Sequence, residues 1–138
     1  DVSLLRHVLT NLLSNAIKFS EGRAKVTLNV SVTVADGQQA LCFEVLDEGI
    51  GLNRDELDRL FEPFFRGKNA YAFGGTGLGL KVVRDCLLRH GGQIIAEPRL
   101  SGGSRFVASV PYHAAPPPVV NLTETAPEAV NKDPTRGE

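Results

Sequence analysis

NLLSNAIKF, residues Asn11 to Phe19, is the stretch on which the reading of this 138-residue chain turns. It lies in an amphipathic helix predicted from about Ser3 to Phe19. At about 100° per residue, Leu5, Leu9, Leu12, Leu13, Ala16 and Ile17 gather on one face. Asn11, Asn15 and Lys18 stand at i, i+4 and i+7, aligned on the opposite face with Phe19 beside them. The ordinary reading of such a stripe is a solvated polar face. Asn is a poor helix former, however, because its amide competes with the backbone. Two of them one turn apart are an odd way to make a helix merely soluble. Two amide oxygens and an ammonium along one line can instead hold a metal ion and a phosphate. The stripe alone leaves both readings open.

Composition sets the frame. The chain is 42% hydrophobic and 22% charged, ordinary for one globular domain with a real core. A formal net charge of -1 gives no push towards nucleic acid or an anionic membrane. No stretch approaches the length of a transmembrane helix and no signal-peptide pattern is present, so the expectation is a cytoplasmic segment without direct membrane contact. Cys42 and Cys86 lack metal spacing and are expected as free buried thiols. His7, His90 and His113 are scattered, with no pattern for a metal or a catalytic triad.

Ser20-Glu21-Gly22 carries the turn chemistry that ends the first helix. From Ala24 to Val34, Val26, Leu28, Val30, Val32 and Val34 alternate with polar residues, a period of two that predicts a half-buried strand. Asp36-Gly37 marks a hairpin within a slightly longer loop, and an antiparallel strand follows from about Ala40 to Leu46. Asn53 is expected to open a short helix, with Glu56 completing a capping box and Pro63 stopping it. A helix is predicted from about Gly77 to His90, with Leu80, Val83, Cys86 and Leu87 on its buried face and Gly91 at its C-cap. Two more strands, GQIIAEP and SRFVASV, flank the turn Ser101-Gly102-Gly103. This order predicts an α+β fold: a two-layer α/β sandwich, its mainly antiparallel mixed sheet covered on one face by helices. The domain is read as residues 1–113. Residues 114–138, with Pro116, Pro117, Pro118, Pro127 and Pro134 and no periodicity, read as a flexible linker or tail.

Glycine is concentrated in three places. DEGIGL, Asp47 to Leu52, follows a strand. GGTGLGL, Gly74 to Leu80, opens a helix. GGSRF, Gly102 to Phe106, precedes the last strand, where a tight turn explains it well. Glycines crowding a helix start are harder to explain as turns, since they cost conformational entropy there. They let backbone N–H groups close around an anion, aided by the helix N-terminus. The spacing of Gly75, Gly77 and Gly79 is not the dinucleotide-binding fingerprint, and Gly67-Lys68-Asn69 is not a P-loop.

Taken together and in order, these segments resemble the ATP-binding catalytic domain of sensor histidine kinases. That domain has the Bergerat fold and belongs to the superfamily shared with gyrase B, MutL and the large heat-shock chaperone ATPases. NLLSNAIKF is similar to the N box, DEGIGL to the G1 box, FEPFF to the F box, GGTGLGL to the G2 box and GGSRF to a weak G3 box. The resemblance implies ATP and Mg²⁺ as cofactors. It implies that Asn15 gives its amide oxygen to Mg²⁺, a metal content with few protein ligands, and that Asn11 supports the metal or the phosphates. Lys18 would neutralise phosphate charge and Phe19 would pack on the adenine. Asp47 would accept from the exocyclic amine, with Gly49 and Gly51 letting the backbone approach the base. Arg66, and with it Lys68, would reach the terminal phosphates from a lid running from Arg66 to Gly75. Gly75, Thr76, Gly77, Leu78 and Gly79 would wrap the phosphates. Ser104 would stand near the base, and Phe61, Phe64 and Phe65 would pack the base of the lid.

Hydrolases of the superfamily commonly carry a Glu one turn before the Mg²⁺-binding Asn, as a general base for water. Here that position is Asn11, whose amide has no useful basicity. The resemblance therefore implies transfer of the γ-phosphoryl group to a histidine, with Asn11, Lys18 and Arg66 supplying positioning and charge neutralisation. No phosphoacceptor motif surrounds His7 or His90. The implied partners are a histidine-bearing dimerisation domain and, downstream, a response-regulator receiver domain. A module that binds ATP without transfer is the alternative, and a stand-alone ATPase a weaker one.

Overall fold

A computed structural model describes residues 2–20, 22, 25–67, 77 and 79–112. Helix α1, Val2–Lys18, is followed by strands β1, Val26–Ala35, and β2, Gln38–Asp47. A 3-10 helix spans Arg54–Arg59, and α2, Gly79–Arg89, leads into β3, Gln93–Pro98, and β4, Ser104–Pro111. The strands form one sheet in the order β1-β2-β4-β3, and each of these pairings is antiparallel. The helices cover one face, as the α+β reading expects. The tail at 114–138 lies outside the described residues.

The core closes between that face and the two helices. Leu4, Val8, Leu12 and Ala16 of α1 and Val83 and Leu87 of α2 pack with Val45, Ile94, Phe106, Ala108 and Val110 of the sheet. Leu80 and Cys86 join from the edge, so the buried side of α2 is the one its periodicity marks. For α1 the innermost row is shifted. Leu4 and Val8 are buried, Leu5 and Leu13 are only partly so, and Ile17 is 65% exposed. Both cysteines are free but half-buried rather than buried.

Two turns differ from expectation. The β1–β2 connection is a two-residue turn, with Asp36 and Gly37 at φ 51° and 78° and Ala35 paired to Gln38, tighter than the predicted loop. The segment after Asn53 is 3-10 rather than α. Asn53 makes no side-chain cap hydrogen bond, and Glu56 Oε1 instead lies 3.5 Å from Asn53 Nδ2. The C-terminus of α2 is capped as predicted, Gly91 N–H donating to Leu88 and Gly92 N–H to Leu87.

β1 keeps its alternation but not its burial. Leu28, Val30, Val32 and Val34 share the helix-facing side with Val45 and Phe43, their register neighbours being Val45, Phe43, Leu41 and Gln39. They nevertheless remain exposed, Val34 to 66%. The strand order puts β1 at the sheet edge, where Val26 still packs against the core but the residues after it are left uncovered.

On the opposite face a polar chain crosses all four strands. Asn29 Nδ2 donates to Glu44 Oε1 at 2.8 Å; Arg105 donates to Glu44 Oε2 and, at 3.0 Å, to Glu97 Oε2. The Asn29 amide, and after it Arg105, holds the Glu44 carboxyl below its ordinary range, and the same contact raises Arg105. A lowered folded pKa contributes stability above the unfolded value of about 4.3, lost as pH falls through the folded one. Glu44→Gln should therefore lower stability by roughly 0.5–1 kcal/mol at neutral pH. Thermal unfolding should show this gap closing towards acid; a gap constant with pH would refute the assignment.

Candidate functional site

The C-terminal end of β2 carries Asp47, 3% exposed, next to the start of β4, where Ser104 is 6% exposed. Ser104 Oγ donates to Asp47 Oδ2 at 2.6 Å, and the Ser104 and Gly49 N–H groups donate to Oδ1 at 3.2 and 3.0 Å. With its hydrogen committed to Oδ2, the Ser104 hydroxyl presents only lone pairs outward. The pair offers acceptors to a ligand, which suits an amine and not a carbonyl oxygen.

The backbone around Asp47 is packed to contact. A Cβ on Gly49 would lie 2.0 Å from the Phe19 carbonyl oxygen, and one on Gly103 2.0 Å from that of Asp47. The Ile50 N–H donates to the same Phe19 carbonyl at 3.1 Å. The end of α1 is thus sewn to the loop after β2. Eight residues back, roughly 12 Å along the helix, Asn11 Oδ1 faces the first turn of α2, 3.2 Å from where a Cβ on Gly79 would sit. Asn11 Nδ2 donates to its own helix, to His7 O at 2.9 Å.

Between these points lies a cavity of about 370 Å³. The last turn of α1 contributes Asn15, Ala16 and Lys18, and Phe19 follows it; the loop after β2 contributes Ile50, Gly51 and Leu52; Asp47, Ser104 and Phe106 close it on the sheet side. Gly77, Gly79 and Leu80 line it from the start of α2, where the helix N-terminus favours negative charge. Arg66 and Gly67 line it beyond the 3-10 helix. Lys18 Nζ stands 4.9 Å from the centroid of the Phe19 ring. Apolar walls with an acceptor edge, amides and cations form a site for a flat amine-bearing ring joined to an anionic group.

The structure therefore gathers Asn15, Lys18, Phe19, Asp47, Gly51, Arg66, Gly77, Gly79 and Ser104 around one cavity. Asn11 borders it through Gly79 rather than lining it, and Gly49 admits the Phe19 carbonyl rather than a ligand. Lys68, Gly75, Thr76 and Leu78 lie outside the described residues. Phe61 packs on the core and Phe64 is 71% exposed, while Phe65, expected only at the base of the lid, lines the cavity. Glu56, Leu60 and Phe106 also line it and were not foreseen. Glu56 reads as a cap in the sequence, yet a Cβ on Gly67 would lie 2.6 Å from its Oε2. Among the described residues no group of three His, Cys, Asp or Glu side chains is arranged to hold a metal.

This fold and cavity define an ATPase-type nucleotide domain. The chain belongs to the histidine kinase-, DNA gyrase B- and HSP90-like ATPase family, whose profile matches residues 1–114. Within that family the similar proteins are sensor histidine kinases. It is 33% identical over 114 residues to the sensor histidine kinase WalK of Bacillus subtilis, covering 81% of this chain and 18% of that protein. It is 38% identical over 127 residues to the sensor histidine kinase AruS of Pseudomonas aeruginosa, covering 86% of this chain and 13% of that one. The mycobacterial sensor histidine kinase MprB superposes with a TM-score of 0.67 at 29% identity, over 80% of this chain and 74% of that chain. Full-length ShkA in complex with AMPPNP gives 0.64 at 30% identity, over 84% and 23%. The chain spans only 18% and 13% of the length of these two curated relatives. Family membership implies ATP as the ligand. No helix of the described residues is long and apolar enough to cross a membrane.

Proposed function

We propose that this domain binds Mg²⁺-ATP and places its γ-phosphoryl group for transfer to a histidine on an adjacent dimerisation domain. The observation that carries the reading is the pairing of a buried acceptor edge, Asp47 with Ser104, with the amide and ammonium of Asn15 and Lys18 in one cavity. Adenine presents its exocyclic amine to Asp47, and Phe19 with the apolar wall holds the ring. The phosphates run along α1 towards the first turn of α2, where Gly77 and Gly79 allow close approach and Gly75, Thr76 and Leu78 complete the wrap. Lys18 and Arg66, with Lys68, offset their charge.

The donor set fits Mg²⁺, which takes few protein ligands and completes its shell with phosphate and water. Asn15 would hold it, and Asn11 would support that end of the helix. When bound, the ion would neutralise charge developing on the transferring phosphoryl group. In the transfer, the acceptor imidazole nitrogen bonds to the γ-phosphorus as its bond to the bridging oxygen breaks and ADP leaves. Asn11 supplies no base for water, and its Nδ2 is committed to His7 O. That favours an acceptor which is itself a nucleophile over hydrolysis.

Residues 1–113 would form this domain and 114–138 a linker or tail, in the cytoplasmic part of a longer sensor that passes phosphate to a receiver domain. The test is transfer of labelled phosphate in trans to an added histidine-bearing helical domain. Labelled acceptor is expected. Mg²⁺-dependent ATP binding with no labelled acceptor would support a regulatory module instead. Calorimetry should also show ATP bound at least about tenfold more tightly than GTP, whose carbonyl oxygen would meet the acceptors. Equal affinity would remove the role of Asp47.

A further inference from the structure

The ladder between β2 and β4 ends at Leu46↔Arg105, and the donor to the next carbonyl on β2 comes from a side chain. Arg99 Nη1 donates to the Asp47 backbone oxygen at 2.7 Å, across 52 residues of sequence. The turn that carries Arg99 is closed on itself: its N–H donates to Gly103 O and its own carbonyl accepts from Gly102 N–H, both at 3.1 Å. The same turn presents Gly103 against the Asp47 carbonyl and Ser104 against the Asp47 carboxylate. Arg99 therefore grips the backbone of Asp47, the carboxylate of the acceptor edge, from a position outside the cavity lining.

We propose that Arg99 is a positioning residue for base recognition: by holding the Asp47 carbonyl, it fixes the peptide that aims the Asp47 carboxylate at the purine amine. The inference rests on the ATP reading above. The physical link is the rotation of the peptide after Asp47. A carbonyl packed against Gly103 and deprived of its donor turns to find another partner. That rotation carries the following N–H groups with it and breaks the Gly49 N–H bond to Oδ1. Oδ1 and Oδ2 then leave the geometry that Ser104 sets. Lys at this position keeps the charge and a donor but not the planar guanidinium that presents Nη1 to the carbonyl, so it restores the grip in part.

A merely structural staple between the β3–β4 turn and β2 would weaken every nucleotide alike. The experiment compares Mg²⁺-ATP with the Mg²⁺ complex of purine riboside triphosphate, which lacks the exocyclic amine. Calorimetry on the full chain is run for the native protein, Arg99→Met and Arg99→Lys, with thermal unfolding alongside. Arg99→Met should weaken ATP about tenfold and the amine-free analogue by less than about twofold, so that the preference collapses. Arg99→Lys should recover part of that preference. Equal losses for both nucleotides, or no loss for either, would overturn the proposal. Should Arg99→Met fail to fold, the same two ratios in Arg99→Lys decide it. A native protein with no preference for ATP over the analogue would instead overturn the assignment of Asp47 to the amine.

Discussion

Asn15→Ala should lower Mg²⁺-dependent ATP affinity by about 100-fold or more, since even outer-shell partners of a metal are commonly worth 10–100-fold, while thermal unfolding hardly moves. Asn15 is half-buried in the cavity wall and belongs to the last two turns of α1. Ala is the better helix former, so the substitution carries no backbone penalty. Its loss is a single amide oxygen at the place where the phosphates enter the reach of Lys18. An ion with few protein ligands depends heavily on each of them. Calorimetry with Mg²⁺, and again with chelator, separates the two contributions. The native protein should lose most of its affinity on chelation and the variant almost none, because its metal-linked component is already gone. Unchanged affinity in Mg²⁺ would refute the role given to Asn15. A large fall in melting temperature would show that the residue holds the helix instead.

Asn11 draws a different expectation from the same helix. Its Oδ1 faces Gly79 and its Nδ2 is bonded to His7 O, so it spans from α1 to the first turn of α2. Its place one turn before Asn15 reads, in the sequence, as support for the metal or the phosphates. The fold sets its amide oxygen beside the first turn of α2, at the edge of the cavity rather than in its wall. In both roles it is no base.

The limits of the sequence reading have physical causes. α1 contains apolar residues in adjacent pairs: Leu4-Leu5, Val8-Leu9, Leu12-Leu13 and Ala16-Ile17. Period alone cannot choose which member of each pair faces inward, and packing against α2 and β2 selects the first. The alternation of β1 correctly assigns the face of Val30 and Val32, but exposure depends on strand order, which that pattern does not encode. Asp36 and Gly37 both adopt positive φ, so the hairpin is tighter than a loop estimate allows. The boxes around Asp47, Asn15 and Gly77 are local in sequence and were legible. Phe65 lies in FEPFF and Phe106 in GGSRF, but their place on the cavity wall arises only because remote segments meet there. Glu56 was misread because its spacing from Asn53 matches a cap, while its carboxylate turns towards Gly67.

Gly103→Ala should cost about 3 kcal/mol of stability, combining the penalty of a left-handed backbone with forced overpacking. Gly103 has φ 88°, and its added Cβ would stand 2.0 Å from the Asp47 carbonyl oxygen, 2.7 Å from the carbonyl carbon and 2.8 Å from Glu48 Cα. All three are backbone atoms, so no side-chain rotation relieves the clash. Either the β3–β4 turn or the end of β2 must retreat. Retreat pulls Ser104 from both oxygens of Asp47 and Arg99 from its carbonyl, since the three are carried on one turn. The loss should therefore appear twice: in denaturant unfolding, and as reduced ATP affinity measured at a temperature where the variant remains folded. The neighbouring Gly102 provides the control. It has φ 99° but nothing within 4 Å of an added Cβ, so Gly102→Ala bears the backbone strain without the clash. Gly102→Ala should lose roughly 1–2 kcal/mol and keep its ATP affinity. If the two variants lose stability and affinity equally, strain alone accounts for Gly103, and its close approach to Asp47 is incidental. If only Gly103→Ala loses affinity, the acceptor edge is built by backbone contact as much as by the carboxylate it presents.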